Sequence, residues 1–128
     1  MWSFSGVFSI SKQMYAVIEQ LLLEALEQLR INEETWYDLK LILQELCLNA
    51  LEHGDKPVNL QASVCAYDNC LHILISDSGQ GFNPMDCKLS RLDEERGRGL
   101  SIVEALAKKV VFNSCANKVL VTLDILEN

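Results

Sequence analysis

The chain reads as an α+β protein, a single domain over residues 1–128. It is expected to form a two-layer sandwich with helices on one face of a mixed, mostly antiparallel sheet. Three observations predict that class. The hydrophobic period switches from two to 3.6 and back along the sequence. The segments follow the order β, α, α, β, β, loop, α, β, β. Finally, 128 residues with 49% hydrophobic and 23% charged side chains supply one buried core but not two.

Residues 2 to 10 alternate Trp2, Phe4, Gly6, Phe8 and Ile10 against Ser3, Ser5, Val7 and Ser9, the period of a half-buried strand. Ser11 is then placed to cap a helix whose apolar residues, Met14, Val17, Ile18, Leu21, Leu22, Ala25 and Leu29, recur at helical spacing until Asn32. Asn32 or the Glu33-Glu34 pair opens a second helix with Leu39, Ile42, Leu43, Leu46 and Ala50 as its core stripe. Gly54 serves as its C-terminal cap, and Pro57 prevents continuation. Period two returns at Val58, Leu60, Ala62, Val64 and Ala66, turns at Asp68-Asn69 and resumes at Leu71, Ile73 and Ile75, which predicts a hairpin. Residues 78 to 97 carry the Gly, Asp, Arg and Ser content of a loop with room for one helical turn. A helix over Leu100 to Lys109 and a strand pair, Val110 to Phe112 with Val119 to Leu126, complete the chain.

Eleven basic against eighteen acidic residues give a net charge of -7. A polyanion would meet repulsion, so no nucleic-acid partner is expected. No apolar run approaches the roughly 20 residues that span a bilayer. The opening MWSFSGVFSI lacks the basic region of a secretory signal. No membrane partner is expected, and the location is expected to be cytoplasmic. The five cysteines, at 47, 65, 70, 87 and 115, are odd in number and show no CxxC spacing, which fits reduced thiols in or near the core. Two histidines, His53 and His72, without a second ligand at a fixed offset give no zinc pattern. No G-x-x-x-x-G-K-[ST] loop, dinucleotide fingerprint or serine nucleophile elbow occurs.

Three segments carry possible chemistry, each with a plainer alternative. Glu45, Asn49 and His53 in ELCLNALEHG lie at successive i, i+4 offsets on one helix face, which suits either a ligand site or a solvated outer stripe. Asp77-Ser78-Gly79-Gln80-Gly81 follows an apolar strand. A carboxylate there, with glycines that let backbone approach closely, can accept from an amino group on a flat ring, or the segment is an ordinary turn. Gly97-Arg98-Gly99-Leu100-Ser101 opens a helix whose free N–H groups and dipole suit phosphate oxygens, or it is a flexible start to the helix.

The order and spacing of these three segments resemble the GHKL ATP-binding family of gyrase, heat-shock chaperone, histidine kinase and MutL type, whose fold is the Bergerat sandwich. ELCLNALEHG resembles its N box, DSGQGF its first glycine box and RGRGLSIVEAL its second. Within the family the chain is most similar to the small bacterial serine protein kinases that double as anti-sigma factors. The 15 residues Phe82 to Arg96 make a short lid, the helix ends in NALEHG, and residues 11 to 30 contain no acceptor histidine. The resemblance implies that ATP or ADP binds with Mg²⁺. Asn49 would be the metal ligand and Glu45 the general base. Asp77 would be the adenine-binding carboxylate, Gly79 and Gly81 the close-approach glycines, and Gly97, Arg98, Gly99 and Leu100 the phosphate loop. It also implies an anti-sigma-factor antagonist as protein substrate, a sigma factor as alternative partner, and a homodimer. One departure stands out. The family's closing strand begins with a Gly-Thr pair whose hydroxyl faces the nucleotide, whereas this chain reads Asn117-Lys118-Val119-Leu120, with Thr122 one pleat later. Glu45 favours a kinase; the missing pair favours a catalytically weak module that uses ATP to set its shape for a partner.

Overall fold

A computed structural model describes residues 2–65, 67–78, 100–113 and 117–125. Its elements are β1 (Trp2–Phe8), α1 (Ser11–Leu29), α2 (Glu33–His53), β2 (Val58–Val64), β3 (Cys70–Ser76), a third helix whose described part is 100–106 (α3), β4 (Lys109–Phe112) and β5 (Lys118–Asp124). The five strands form one sheet in the order β1-β2-β3-β5-β4, and every pairing among them is antiparallel. The parallel component of the expected mixed sheet is therefore not present among the described strands. Periodicity assigns a face to each residue but says nothing about which strands become neighbours. Here β5 inserts between β3 and β4.

The alternation read in β1 is real: Trp2 and Phe8 are buried while Ser3, Ser5 and Val7 face solvent. The same face continues through Leu60, Ala62, Leu71, Ile73, Ile75, Val119, Val121 and Leu123 on the neighbouring strands. The helices cover it with Met14, Ile18, Leu21 and Ala25 from α1, Leu39, Ile42, Leu43 and Leu46 from α2, and Val103 from α3. At about 1.5–3 kcal/mol for each fully buried large aliphatic side chain, this single layer of apolar contact is what binds helices to sheet. Gly6 lets α1 lie close to β1, because a Cβ at that position would sit 2.6 Å from Val17 Cγ1.

Helix α2 starts as its sequence indicates. The Asn32 side chain accepts from the Thr35 N–H at 2.7 Å, and Glu33 and Glu34 complement the helix dipole in the first turn. Helix α1 differs by one residue: Ser11 is already helical, and the N-cap is Ile10, whose side chain makes no capping bond. The Gln13 side chain reaches back instead to accept from the Ser9 N–H at 2.9 Å. The β2–β3 turn closes with Asn69 at φ 52° and the Asp68 carboxylate accepting from the Cys70 N–H at 3.0 Å. Asp68 Oδ2 also lies 2.8 Å from His72 Nε2. The bond to His72 and then the one from the Cys70 N–H hold this carboxyl below its ordinary pKa.

Two further expectations are corrected. The helix expected over Leu100 to Lys109 ends at 106, because the chain joins β5 through the Lys108 N–H to Thr122 carbonyl bond at 2.8 Å and Lys109 already pairs with Thr122. The sheet ladder wins over helical propensity there. Cys65 is exposed, since it lies just past the end of β2 where the period-two pattern no longer aims side chains at the core. Cys47 and Cys70 are buried free thiols as expected, whereas Cys87 and Cys115 lie outside the described residues.

Candidate functional site

The C-terminal half of α2, the end of β3, the first residue of the described part of α3 and the β4–β5 hairpin converge on a small recess of about 30 Å³. Its walls are apolar, from Leu46, Ile75, Leu100, Phe112 and Val119. Its polar groups come from Asn49, Asp77, Asn117 and Lys118.

The helical spacing of the first motif places Asn49 on the face of α2 that meets β3. Its Nδ2 is buried and has no hydrogen-bond partner among the described residues. Leaving such a group unpaired costs about 1–3 kcal/mol, a cost that a polar ligand in the recess would relieve. Glu45 is half-buried one turn earlier and is not among the residues lining the recess. His53 is exposed at the end of the helix, 3.9 Å from the Glu52 carboxylate. Cys47, on the buried side of the same helix, has its thiol pushed far up by burial, so it offers no nucleophile.

Asp77 is the first residue past β3 and is fixed from two sides. Its N–H donates to the Asn117 carbonyl at 3.1 Å. The next residue, Ser78, donates its N–H to the Asp55 carbonyl at 2.9 Å and its Oγ–H to the Pro57 carbonyl at 2.6 Å. The α2–β2 connection and the start of β5 therefore hold this turn between them. Gly54 completes the arrangement, because a Cβ there would fall on the Asp77 carboxylate, 2.6 Å from its Cγ. On the far side, Asn113 and Asn117 lock the β4–β5 turn through an Nδ2–H to Oδ1 bond of 2.6 Å and a Lys118 N–H to Asn113 Oδ1 bond of 3.0 Å.

The structure thus brings Asn49, Asp77 and Leu100 to one recess and leaves Glu45 beside it. Gly79, Gly81, Gly97, Arg98 and Gly99 lie outside the described residues. The site also includes Gly54, Ser78, Phe112, Asn117 and Val119, to none of which the sequence assigned a binding role. Gly54 read simply as a cap, Ser78 only as part of the Asp77 segment, and Asn117 and Val119 only as a departure from the family's Gly-Thr pair. Thr122 points away: it occupies the opposite face of the sheet, across from His72, with its Oγ1 3.4 Å from His72 Nδ1. Val119 stands in the recess instead of a hydroxyl. No group of three or more His, Cys, Asp or Glu side chains suited to a metal occurs among the described residues. A metal here would depend on the Asn49 amide and on oxygens the ligand brings, a donor set compatible with Mg²⁺.

The fold is a two-layer α+β sandwich with a recess between the second helix and the sheet, lined by the Asn49 amide and by Asp77 at a strand end. The profile of the histidine kinase-like ATPase domain matches residues 9–124, nearly the whole chain, and the chain belongs to that family. It is accordingly an ATP-binding domain of the histidine kinase-like class. No curated protein matches the chain significantly. No helix among the described residues is long and apolar enough to cross a membrane.

Proposed function

We propose that the chain is a cytoplasmic serine/threonine protein kinase of the anti-sigma-factor kind, transferring the γ-phosphoryl group of Mg·ATP to a small antagonist protein and holding a sigma factor in its alternative state. One observation carries the nucleotide part of this reading: the buried Nδ2 of Asn49, without a partner among the described residues, and Asp77, whose backbone is fixed by the Asn117 carbonyl, line one recess. The carboxylate accepts from the adenine amino group, and the apolar walls Ile75, Leu100 and Val119 exclude water from the ring. Asn49 would hold an accompanying Mg²⁺ through its amide oxygen, and that ion, when bound, would supply charge neutralisation at the phosphates. Glu45, one helical turn away on the same face, takes the proton of the acceptor hydroxyl. The net charge of -7 fits a protein partner and argues against nucleic acid.

A second reading, an ATP-dependent binding module without phosphoryl transfer, draws on two observations. Val119 replaces a hydroxyl in the recess, with Thr122 on the opposite face, and Glu45 does not line the recess. Isothermal calorimetry with Mg·ATP and Mg·ADP tests the common ground, and the absence of binding at millimolar nucleotide overturns both readings. Transfer of labelled γ-phosphate to a co-purified antagonist separates them: a labelled serine supports the kinase, and binding without label supports the module.

A further inference from the structure

We propose that Gly54 and Ser78 set nucleobase selectivity by fixing the placement of Asp77, Gly54 through the space it leaves beside the carboxylate and Ser78 by anchoring the backbone of the turn; this rests on the nucleotide reading above and names the residues that make it selective. Gly54 closes α2 with φ -101° and ψ -177°, an extended conformation open to any residue, and its N–H donates to the Ala50 carbonyl at 2.9 Å. Backbone conformation therefore does not require glycine at this point. Space does: a Cβ would lie 2.6 Å from Asp77 Cγ and 2.7 Å from the Ala50 carbonyl oxygen. The carboxylate occupies the volume that every other side chain would fill. Ser78 holds the same turn from below through its N–H on the Asp55 carbonyl and its Oγ–H on the Pro57 carbonyl. Asp77 is thereby pinned between the end of α2, the loop after it and the Asn117 carbonyl.

The chemistry of purines explains why a pinned carboxylate matters. Adenine presents a donor at its 6-amino group and only an acceptor at N1, whereas hypoxanthine and guanine present an acceptor at position 6 and a donor at N1–H. A carboxylate free to swing can follow the donor from one edge position to the other and bind all three bases. One held in place is matched to a single donor position and rejects the others, because the mismatched pair leaves buried polar groups unpaired. Gly54 and Ser78 are thus positioning residues whose effect lies in the ratio of affinities for ATP and ITP more than in either affinity.

Calorimetric titration of the full chain with Mg·ATP and Mg·ITP provides the test, on the wild type, Gly54→Ala and Ser78→Ala. The wild type is expected to prefer ATP. Gly54→Ala should reduce the ATP-to-ITP ratio by about tenfold or more, and Ser78→Ala, which removes one hydrogen bond without adding volume, by about threefold. Should Gly54→Ala not fold, as judged by circular dichroism, Ser78→Ala still decides. A variant that loses ATP and ITP affinity equally, or keeps the wild-type ratio, overturns the clamp while leaving the nucleotide site intact. A wild type that binds neither nucleotide overturns the clamp together with the reading beneath it.

Discussion

Asp77 and Asn49 both line the recess, one carried by a strand end and the other by a helix. Converting Asp77 to Asn keeps the volume but removes the charge and can present a donor toward the 6-amino group. ATP affinity should fall by about 1.5–3 kcal/mol, the worth of a hydrogen bond to a charged group. Calorimetry checks this, and an unchanged dissociation constant removes Asp77 from the base site. Glu45 makes a different prediction, because it lies one turn from Asn49 and outside the lining of the recess. Glu45→Ala should leave nucleotide affinity nearly intact and lower phosphoryl transfer by about 10² to 10⁴. Equal losses in affinity and rate would make it structural, and full activity would discharge it from the base role. At this scale the sequence exposed the polar groups and hid the shape. Asn49 and Asp77 drew attention through the order and spacing of three segments, since a polar helix stripe and an acid before a turn each have a plainer reading alone. Gly54, Ser78 and Val119 were visible within quoted segments, but what each touches depends on a neighbour distant in sequence that no local spacing encodes.

Elements were legible where one period governs a whole segment and blurred where two ladders compete. The strand at residues 2–8, both long helices and the hairpin follow from periods of two and 3.6. The end of α3 does not, because Lys108 and Lys109 are claimed by β5 through tertiary hydrogen bonds. The start of α1 moved for a similar reason, with Gln13 bonding back to Ser9 in place of a serine cap. The contact between α1 and β1 offers a test of how tightly these two elements are fitted. Gly6 faces Val17, whose β-branched side chain has little rotamer freedom to yield. Gly6→Ala should destabilise the protein by about 1–3 kcal/mol through overpacking. In a Val17→Ala background the same substitution should cost much less, as the opposing methyl groups are gone. Urea denaturation of the four proteins of this cycle gives the coupling directly, and additive losses would show that Gly6 is not limited by Val17.

For the molecule as a whole, the sheet ends on one side in β1, which pairs with β2 and with no other described strand. Its other edge presents backbone N–H and C=O groups, and Val7 on it is 53% exposed. Edges of this kind are normally covered, and a second copy of the chain is the partner we propose, pairing β1 with β1. Each copy carries a net charge of -7, so long-range repulsion opposes the approach while backbone hydrogen bonding and apolar contact favour it. Salt shortens the range of that repulsion, the screening length falling from about 30 Å at 0.01 M to about 10 Å at 0.1 M, and leaves the short-range terms largely untouched. Association should therefore strengthen as ionic strength rises, the reverse of an interface held by ion pairs. Light scattering over a series of protein and salt concentrations reads both features. A particle that stays at the monomer mass of 14.4 kDa at high concentration and high salt refutes the dimer. A dimer that dissociates on adding salt places the contact on an attractive charged surface and removes β1 from the interface.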